Sequence, residues 1–381
     1  MMGECKRKCA MKFNILELYA GTGRSIEPFR RWSRTGKISL VDNNQYAADV
    51  YKHNNPGARY RVWDLGTKPS TDLLRFAGGR VDVLLGCPPC QGFSDCGSKN
   101  PYDSRNRHVS RFHSIVRDLQ PRVLAMENVP LVASSGRFKL FTDGLEELDY
   151  CWTASIVNAA LWGSCQSRQR LILVAAKSDL GVAPTFPEPT HGGSAKYFNY
   201  SLQKFCKIDA DPVGMLGRTP ASQRAEKNVP HKMGLTLGSR AIPTVDETIG
   251  DLGDIGTLKA IRMGHKSWDH GPGILRRMGR VEEGKRWSGA DEHFSQAYGR
   301  LHRRGLARTI TGYFPNAGSG RFWHPVENRA LTLREAARIQ GFPDSFRFLD
   351  NDAENCVLVG NALDKALAEL TCKIVKNCLD G

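Results

Sequence analysis

Short apolar runs recur along the first half of the chain, each stopped by a glycine, an aspartate or a proline and followed by a stretch with helical spacing. Asn14–Tyr19 reads as a strand ending at Ala20-Gly21-Thr22-Gly23, and Ser25–Trp32 has the spacing of a helix. Lys37–Val41 is a second strand, halted by Asp42-Asn43-Asn44 and followed by a helix over Gln45–Tyr51. Arg59–Trp63 is a weaker strand ending at Asp64, and Val81–Leu85 runs into Gly86-Cys87-Pro88-Pro89-Cys90. His108–Leu119 places Phe112, Ile115, Val116 and Leu119 on one helical side, and Val123–Met126 ends in Glu127-Asn128. Arg170–Ala176 is a further strand. Strands alternating with helices predict an α/β fold with a mostly parallel sheet covered on both faces.

The pattern breaks after residue 180. Pro184, Pro187, Pro189, Gly192 and Gly193 mark a boundary, and the following stretch has little periodicity. Regularity returns at Thr332–Gln340 and in a helix over Asn361–Leu379 with Leu363, Leu367, Leu370, Ile374 and Cys378 on one stripe. Three segments follow: 12–180, the first part of the α/β domain; 181–325, a smaller irregular domain; and 326–381, helices returning to the first domain.

Charge sharpens the picture. The 381 residues carry 54 Lys and Arg against 39 Asp and Glu, a formal net charge of +15 that suits a polyanionic partner. Residues 257–329 supply 14 basic and 6 acidic side chains, whereas 181–256 are neutral with 8 of each. Arg276, Arg277, Arg280, Arg303 and Arg304 are candidates for nucleic-acid backbone contacts. No apolar run is long enough to span a bilayer, and the basic start MMGECKRKCA lacks the apolar stretch of a secretory signal. The expectation is no membrane association, with a cytoplasmic location in a prokaryote or a nuclear one in a eukaryote.

In open α/β sheets ligands bind beyond the carboxyl ends of the strands. Gly21, Gly23, Asp42, Asp64, Cys90 and Glu127 each follow a predicted strand, so they can converge on one edge. Gly21-Thr22-Gly23 lacks the later glycine of the dinucleotide fingerprint, which weakens a nicotinamide reading. Asp42 and Asp64 can accept from a ribose, though either alone is more often a helix cap or turn residue. Cys90, aimed by two prolines, is the best nucleophile candidate. Cys87-x-x-Cys90 alternatively reads as half a zinc site or a redox pair, but no second close pair accompanies it, and no metal is expected. Cys96, Cys151, Cys356, Cys372 and Cys378 read as structural. Glu127 at a strand end can act as an acid or hydrogen-bond partner. Arg168 and Arg170, two apart, are expected to face the same way.

Gly86-Cys87-Pro88-Pro89-Cys90-Gln91-Gly92-Phe93-Ser94, Glu127-Asn128-Val129, Gln166-x-Arg168-x-Arg170 and Arg334–Pro343, in that order, closely resemble the DNA cytosine-5 methyltransferase family. Leu18–Gly23 looks like its cofactor loop, and Asp103-x-Arg105-Asn106 and Gly360-Asn361-Ala362 also fit. The resemblance implies a Rossmann-like methyltransferase domain using S-adenosylmethionine, with 181–325 as the target-recognition domain. It implies that Cys90 attacks C6 of a cytosine flipped out of double-stranded DNA while Glu127 holds N3. Arg168, with Arg170 beside it, would hold the base carbonyl. Tyr19, Gly21, Gly23, Asp42, Asn43, Asp64, Pro88 and Asn361 would line the methyl-donor site, and Gln91 and Ser94 would contact the nucleic acid. The enzyme would act as a monomer on DNA. A transfer-RNA methyltransferase of the same fold and an inactive donor-binding module are the alternatives. The chain departs from the family pattern at Arg24, where glycine is usual, at Asp42 and Asn43, and at Leu363-Asp364-Lys365.

Overall fold

The computed structural model describes residues 11–89, 107–192, 215–218 (backbone only), 238–289 and 297–380. An eight-stranded sheet is ordered β3-β2-β1-β4-β5-β8-β6-β9. Its strands are β1 (Phe13–Leu18), β2 (Thr35–Asp42), β3 (Tyr60–Val62), β4 (Val83–Gly86), β5 (Val123–Asn128), β6 (Tyr150–Asn158), β8 (Gln169–Lys177) and β9 (Met215–Arg218). The first five strands in that order are parallel, as the alternation predicts. The far half, β5-β8-β6-β9, is antiparallel. Sequence alternation did not reveal β6, because Tyr150–Asn158 is buried on both faces and shows no polar face to mark it.

Strand residues alternate between two cores, as a period of two requires. Ile15, Val83, Leu85, Val123, Ile172 and Val174 pack on one face against Leu367, Leu370, Ile374 and Val375. Leu16, Leu18, Leu84, Leu124, Met126 and Leu171 pack on the other against Val109, Phe112, Ile115 and Val116, together with Phe138 and Phe141. The helices along the first half of the chain are α1 (Glu27–Arg30), α2 (Gln45–Asn54), α3 (Ser70–Ala77), α4 (Arg107–Leu119) and α5 (Gly136–Glu147). Three short ones follow, α6 (Val245–Ile249), α7 (Leu258–Arg262) and α8 (Pro272–Met278).

The expected final helix begins later than its apolar stripe suggests. Asn361 is the last residue of α10 (Asp352–Asn361), and α11 spans Lys365–Asp380. Asp364 separates them, its carboxylate accepting from the Ala366 N–H at 2.8 Å, as an N-cap does. The preceding α9 (Leu333–Ile339) opens with a capping box between Thr332 and Glu335. A third cluster joins Val245, Ile249, Leu301, Phe314, Leu333, Ile339 and Val359 to Ala47 and Val50 of α2. Met278, Val281, Ala317 and Trp323 form a smaller core of their own. A two-residue parallel ladder between β7 (Gln166–Ser167) and β10 (Ala307–Arg308) brings the later segment beside the Gln-x-Arg-x-Arg stretch. Among the described residues no helix is long and apolar enough to cross a membrane.

Candidate active site

Register builds the site. Leu18 of β1 lies opposite both Val41 of β2 and Gly86 of β4, and Gly86 lies opposite Met126 of β5. The next residues, Tyr19, Asp42, Cys87 and Glu127, therefore leave the sheet at one edge. The antiparallel β8 supplies the partner from the other direction: Glu127 pairs with Ile172, and Arg170, two residues away along β8, reaches Glu127 diagonally.

Arg170 Nε donates to Glu127 Oε1 at 2.9 Å, with both side chains largely buried. Asn128 Nδ2 donates to the Pro88 carbonyl at 3.0 Å, which ties the Pro88-Pro89 turn to the strand that carries Glu127. Cys87 lies in the same place. Burial, then Glu127 and Glu17, push its thiol well above the usual range, with Arg170 opposing, which favours the neutral thiol. Among the described residues there is no cluster of three or more metal-ligating side chains. Cys151, Cys356, Cys372 and Cys378 are free and buried. Cys90, Gln91, Ser94, Cys96 and the Asp103–Asn106 motif lie outside the described residues.

Arg168 differs from Arg170 in the partners it meets. It falls between β7 and β8, is 2% exposed, and donates to main-chain carbonyls: Nη1 to Ile310 at 3.0 Å, Nη2 to Gly360 and Ala362 at 3.1 Å. Burial, with Arg170 adding, lowers its pKa to about 9. Beside it Gln166 Nε2 donates to Asp364 Oδ2 and to Gln340 Oε1, both at 2.7 Å, and Ser164 Oγ also donates to Asp364. This network bolts α9, α10 and α11 to the sheet edge. The motif residues alone could not reveal it, because its members are nearly 200 positions apart.

The cofactor loop is equally specific. Gly21 (φ +48°) and Gly23 (φ +65°) both hold left-handed backbone, for different reasons. A Cβ on Gly23 would strike the Tyr51 ring, whereas one on Gly21 would project into open space. That open space at a strand-end loop is a cradle for a ligand. Gly21 N–H donates to Asp42 Oδ2 at 2.9 Å, and Tyr60 OH donates to the Gly21 carbonyl at 2.9 Å. Tyr19, also left-handed at φ +56°, shares a 3.2 Å hydrogen bond with His108 Nδ1. Burial pushes its phenol up. Asp64 is exposed and caps a turn, accepting from Gly66 N–H at 2.8 Å. Asn43 and Asn361 are exposed, and Pro88 is buried.

Sequence reasoning missed Glu17. It is 2% exposed on β1 and accepts from Ser25 Oγ through Oε1, while Oε2 meets no partner among the described residues. Burial raises its pKa to about 8, so it is mostly protonated at neutral pH. The signal was present, since a lone acid amid the apolar run Asn14–Tyr19 has to be buried. Arg24, a departure from the family pattern, donates to the Gly341 carbonyl at 2.7 Å and stacks 4.6 Å from the Phe342 ring.

Of the basic candidates, Arg276, Arg280 and Arg304 are exposed. Arg277 stacks 4.6 Å from Trp287, and Arg303 is paired with Glu283 at 3.3 Å.

The profile of C-5 cytosine-specific DNA methylases matches residues 13–377. A type II methylase, M.HgiDII of Herpetosiphon aurantiacus, is 30% identical over 96% of both chains. DNA (cytosine-5)-methyltransferase 1 of Mus musculus is 27% identical over 97% of this chain and 28% of that protein. Among solved structures, Spodoptera frugiperda DNMT2 superposes with a TM-score of 0.61 at 19% identity, over 95% of this chain and 98% of that one. The resemblance in the motifs thus extends over nearly the whole chain. Family and fold imply S-adenosylmethionine as methyl donor, and the cradle at Gly21 fits a ligand at that edge. The chain belongs to the C-5 cytosine-specific DNA methylase family and is a DNA (cytosine-5-)-methyltransferase.

Proposed function

We propose that the chain acts as a monomer on double-stranded DNA and methylates a flipped-out cytosine held between Cys90, Glu127 and Arg170. The observation that carries this reading is the Glu127–Arg170 pair at the sheet edge, beside the Pro88 carbonyl that precedes Cys90 by two residues. Cytosine C5 is too weak a nucleophile to take a methyl group unaided. The Cys90 thiolate forms an S–C6 bond while Glu127 supplies a proton or hydrogen bond at N3, which makes C5 an enamine carbon. Once C5 carries the methyl group, the C5 proton leaves and the electrons of that bond expel Cys90. Arg170, rather than Arg168, is the guanidinium for the base carbonyl, because Arg170 already pairs with Glu127 whereas both Nη atoms of Arg168 are held by main-chain carbonyls.

S-adenosylmethionine supplies an electrophilic sulfonium methyl when bound. Tyr19, Gly21 and Gly23 would form its loop, with Asp42, Asn43 and Asp64 along the nucleoside and Pro88 and Asn361 at the flanks. Residues 181–325 would read the duplex, with Gln91 and Ser94 near the target base. Arg276, Arg277, Arg280, Arg303 and Arg304 would sit on phosphates. Arg303 must then exchange its Glu283 partner.

Duplex DNA containing 5-fluorocytosine, incubated with S-adenosylmethionine, is expected to form a covalent adduct that Cys90→Ser cannot form. Trapping on transfer RNA but not on DNA would overturn the substrate. Trapping by Cys90→Ser would overturn the nucleophile.

A further inference from the structure

The later part of the chain holds a cleft that methyl transfer to the target base does not use. About 420 Å³ in volume, it is lined by Trp268, Asp269, His270, Ile274, Tyr298 and Asn316. Its aromatic walls are held rigidly. Trp268 Nε1 donates to the Leu331 carbonyl at 2.6 Å, and its ring stands edge-on to Phe314 at 6.2 Å. Tyr298 is edge-on to Trp287 at 5.9 Å and to Trp323 at 6.2 Å. Its backbone is left-handed at φ +53°, which a bulky side chain adopts only under constraint and which clusters at ligand sites.

The polar groups are also oriented. The Ala330 N–H donates to His270 Nε2 at 3.4 Å, so the neutral ring carries its proton on Nδ1. Asn316 Oδ1 accepts from the Gly318 N–H at 3.0 Å, which leaves the amide N–H groups as donors. The cleft therefore offers flat aromatic surfaces, an imidazole and an amide donor, and a carboxylate acceptor at Asp269.

Two features tie the cleft to the DNA substrate. The loop that lines it leaves the catalytic edge at Ile310, whose carbonyl accepts from Arg168. Ile274 lies on α8, which also carries exposed Arg276 and the Arg277 that stacks on Trp287, so cationic surface borders the aromatic one. We infer that the cleft takes a second, unstacked nucleobase of the bound DNA, stacked on the aromatic wall with an acceptor-rich edge toward His270 and Asn316. Guanine fits this description best, since its N7 and O6 accept side by side while its N–H groups can meet a carboxylate.

This inference rests on DNA being the substrate, and its test separates the two. A pool of duplexes with random centres, carrying 5-fluorocytosine for cytosine and photoreactive 8-bromoguanine for guanine, is trapped with enzyme and methyl donor, irradiated, and the crosslinked peptides sequenced. Crosslinks at Trp268, His270 or Tyr298 are expected. Asn316→Ala is expected to weaken duplex binding about tenfold, with affinity for S-adenosylhomocysteine unchanged. Trapped complexes crosslinked only elsewhere, with Asn316→Ala binding as wild type, would overturn the second pocket. Absence of trapping would count against the Cys90 mechanism instead, and irradiation of the reversible complex would then decide the pocket by the same criterion. Occupation by a peptide rather than a base would appear as a cleft that no nucleotide reaches.

Discussion

Arg170 and Glu127 lie diagonally across two adjacent antiparallel strands and form an ion pair of 2.9 Å at the edge where the chemistry is proposed to take place. Arg168, two residues earlier, holds three main-chain carbonyls instead. The two arginines should therefore fail differently. Arg170→Met is expected to lower kcat about a hundredfold or more, with little loss of fold. Arg168→Met is expected to lose about 3 kcal/mol of stability, because buried carbonyls are left without donors. Denaturant unfolding alongside single-turnover kinetics separates them, and an Arg170→Met enzyme with normal turnover would remove Arg170 from the site.

Glu17 makes stability depend on pH with an unusual sign. Its folded pKa of about 8 lies above the ordinary value of 4.5 that it takes in the unfolded chain, so the native state binds more protons between these values. Its contribution is intact below that window and is lost as pH rises through it. Glu17→Gln, which mimics the protonated form, should therefore melt close to wild type at pH 5 and above it at pH 8 to 9. Differential scanning calorimetry across that range checks this, and parallel Tm profiles for the two proteins would refute it.

Gly21 and Gly23 share a backbone conformation but should separate on substitution. An alanine at Gly21 meets nothing, so Gly21→Ala costs only about 1–2 kcal/mol of backbone strain while filling the cradle. Calorimetric titration with S-adenosylhomocysteine should show markedly weakened binding by a folded protein. Gly23→Ala should instead destabilise by about 3 kcal/mol, since Tyr51 and Leu40 have to move. Equal losses of stability in the two variants would count against a ligand at Gly21.

Arg24 fastens the cofactor loop to Gly341 and Phe342. Removing it with Arg24→Ala should weaken S-adenosylhomocysteine binding about tenfold by loosening the loop. Arg24→Lys should recover little, because an ammonium group lacks the planar fork that bonds and stacks together. Unchanged affinity in both variants would leave Arg24 with a packing role only.

Much of this molecule is legible in the linear pattern. Short runs such as Val81–Leu85 and Val123–Met126 are apolar because parallel strands buried on both faces exclude polar side chains, and the residues that end them fall at one edge by register. The parallel half of the sheet and the placing of Asp42 and Glu127 at one edge follow from that periodicity, whereas the strand order does not.

What the chain order could not reveal depends on contacts between distant residues. Nothing local distinguishes Arg168 from Arg170. One is a brace and the other an ion-pair partner because the returning helices bring Gly360 and Ala362 alongside Arg168, while Glu127 lies within reach of Arg170. Glu17 owes its retained proton to layers that close over it from elsewhere in the sequence. The cleft at Trp268 and Tyr298 exists because irregular segments pack around Trp323 without a repeating period. Periodicity determines which side of an element is buried, and only the folded packing determines what each buried polar group meets.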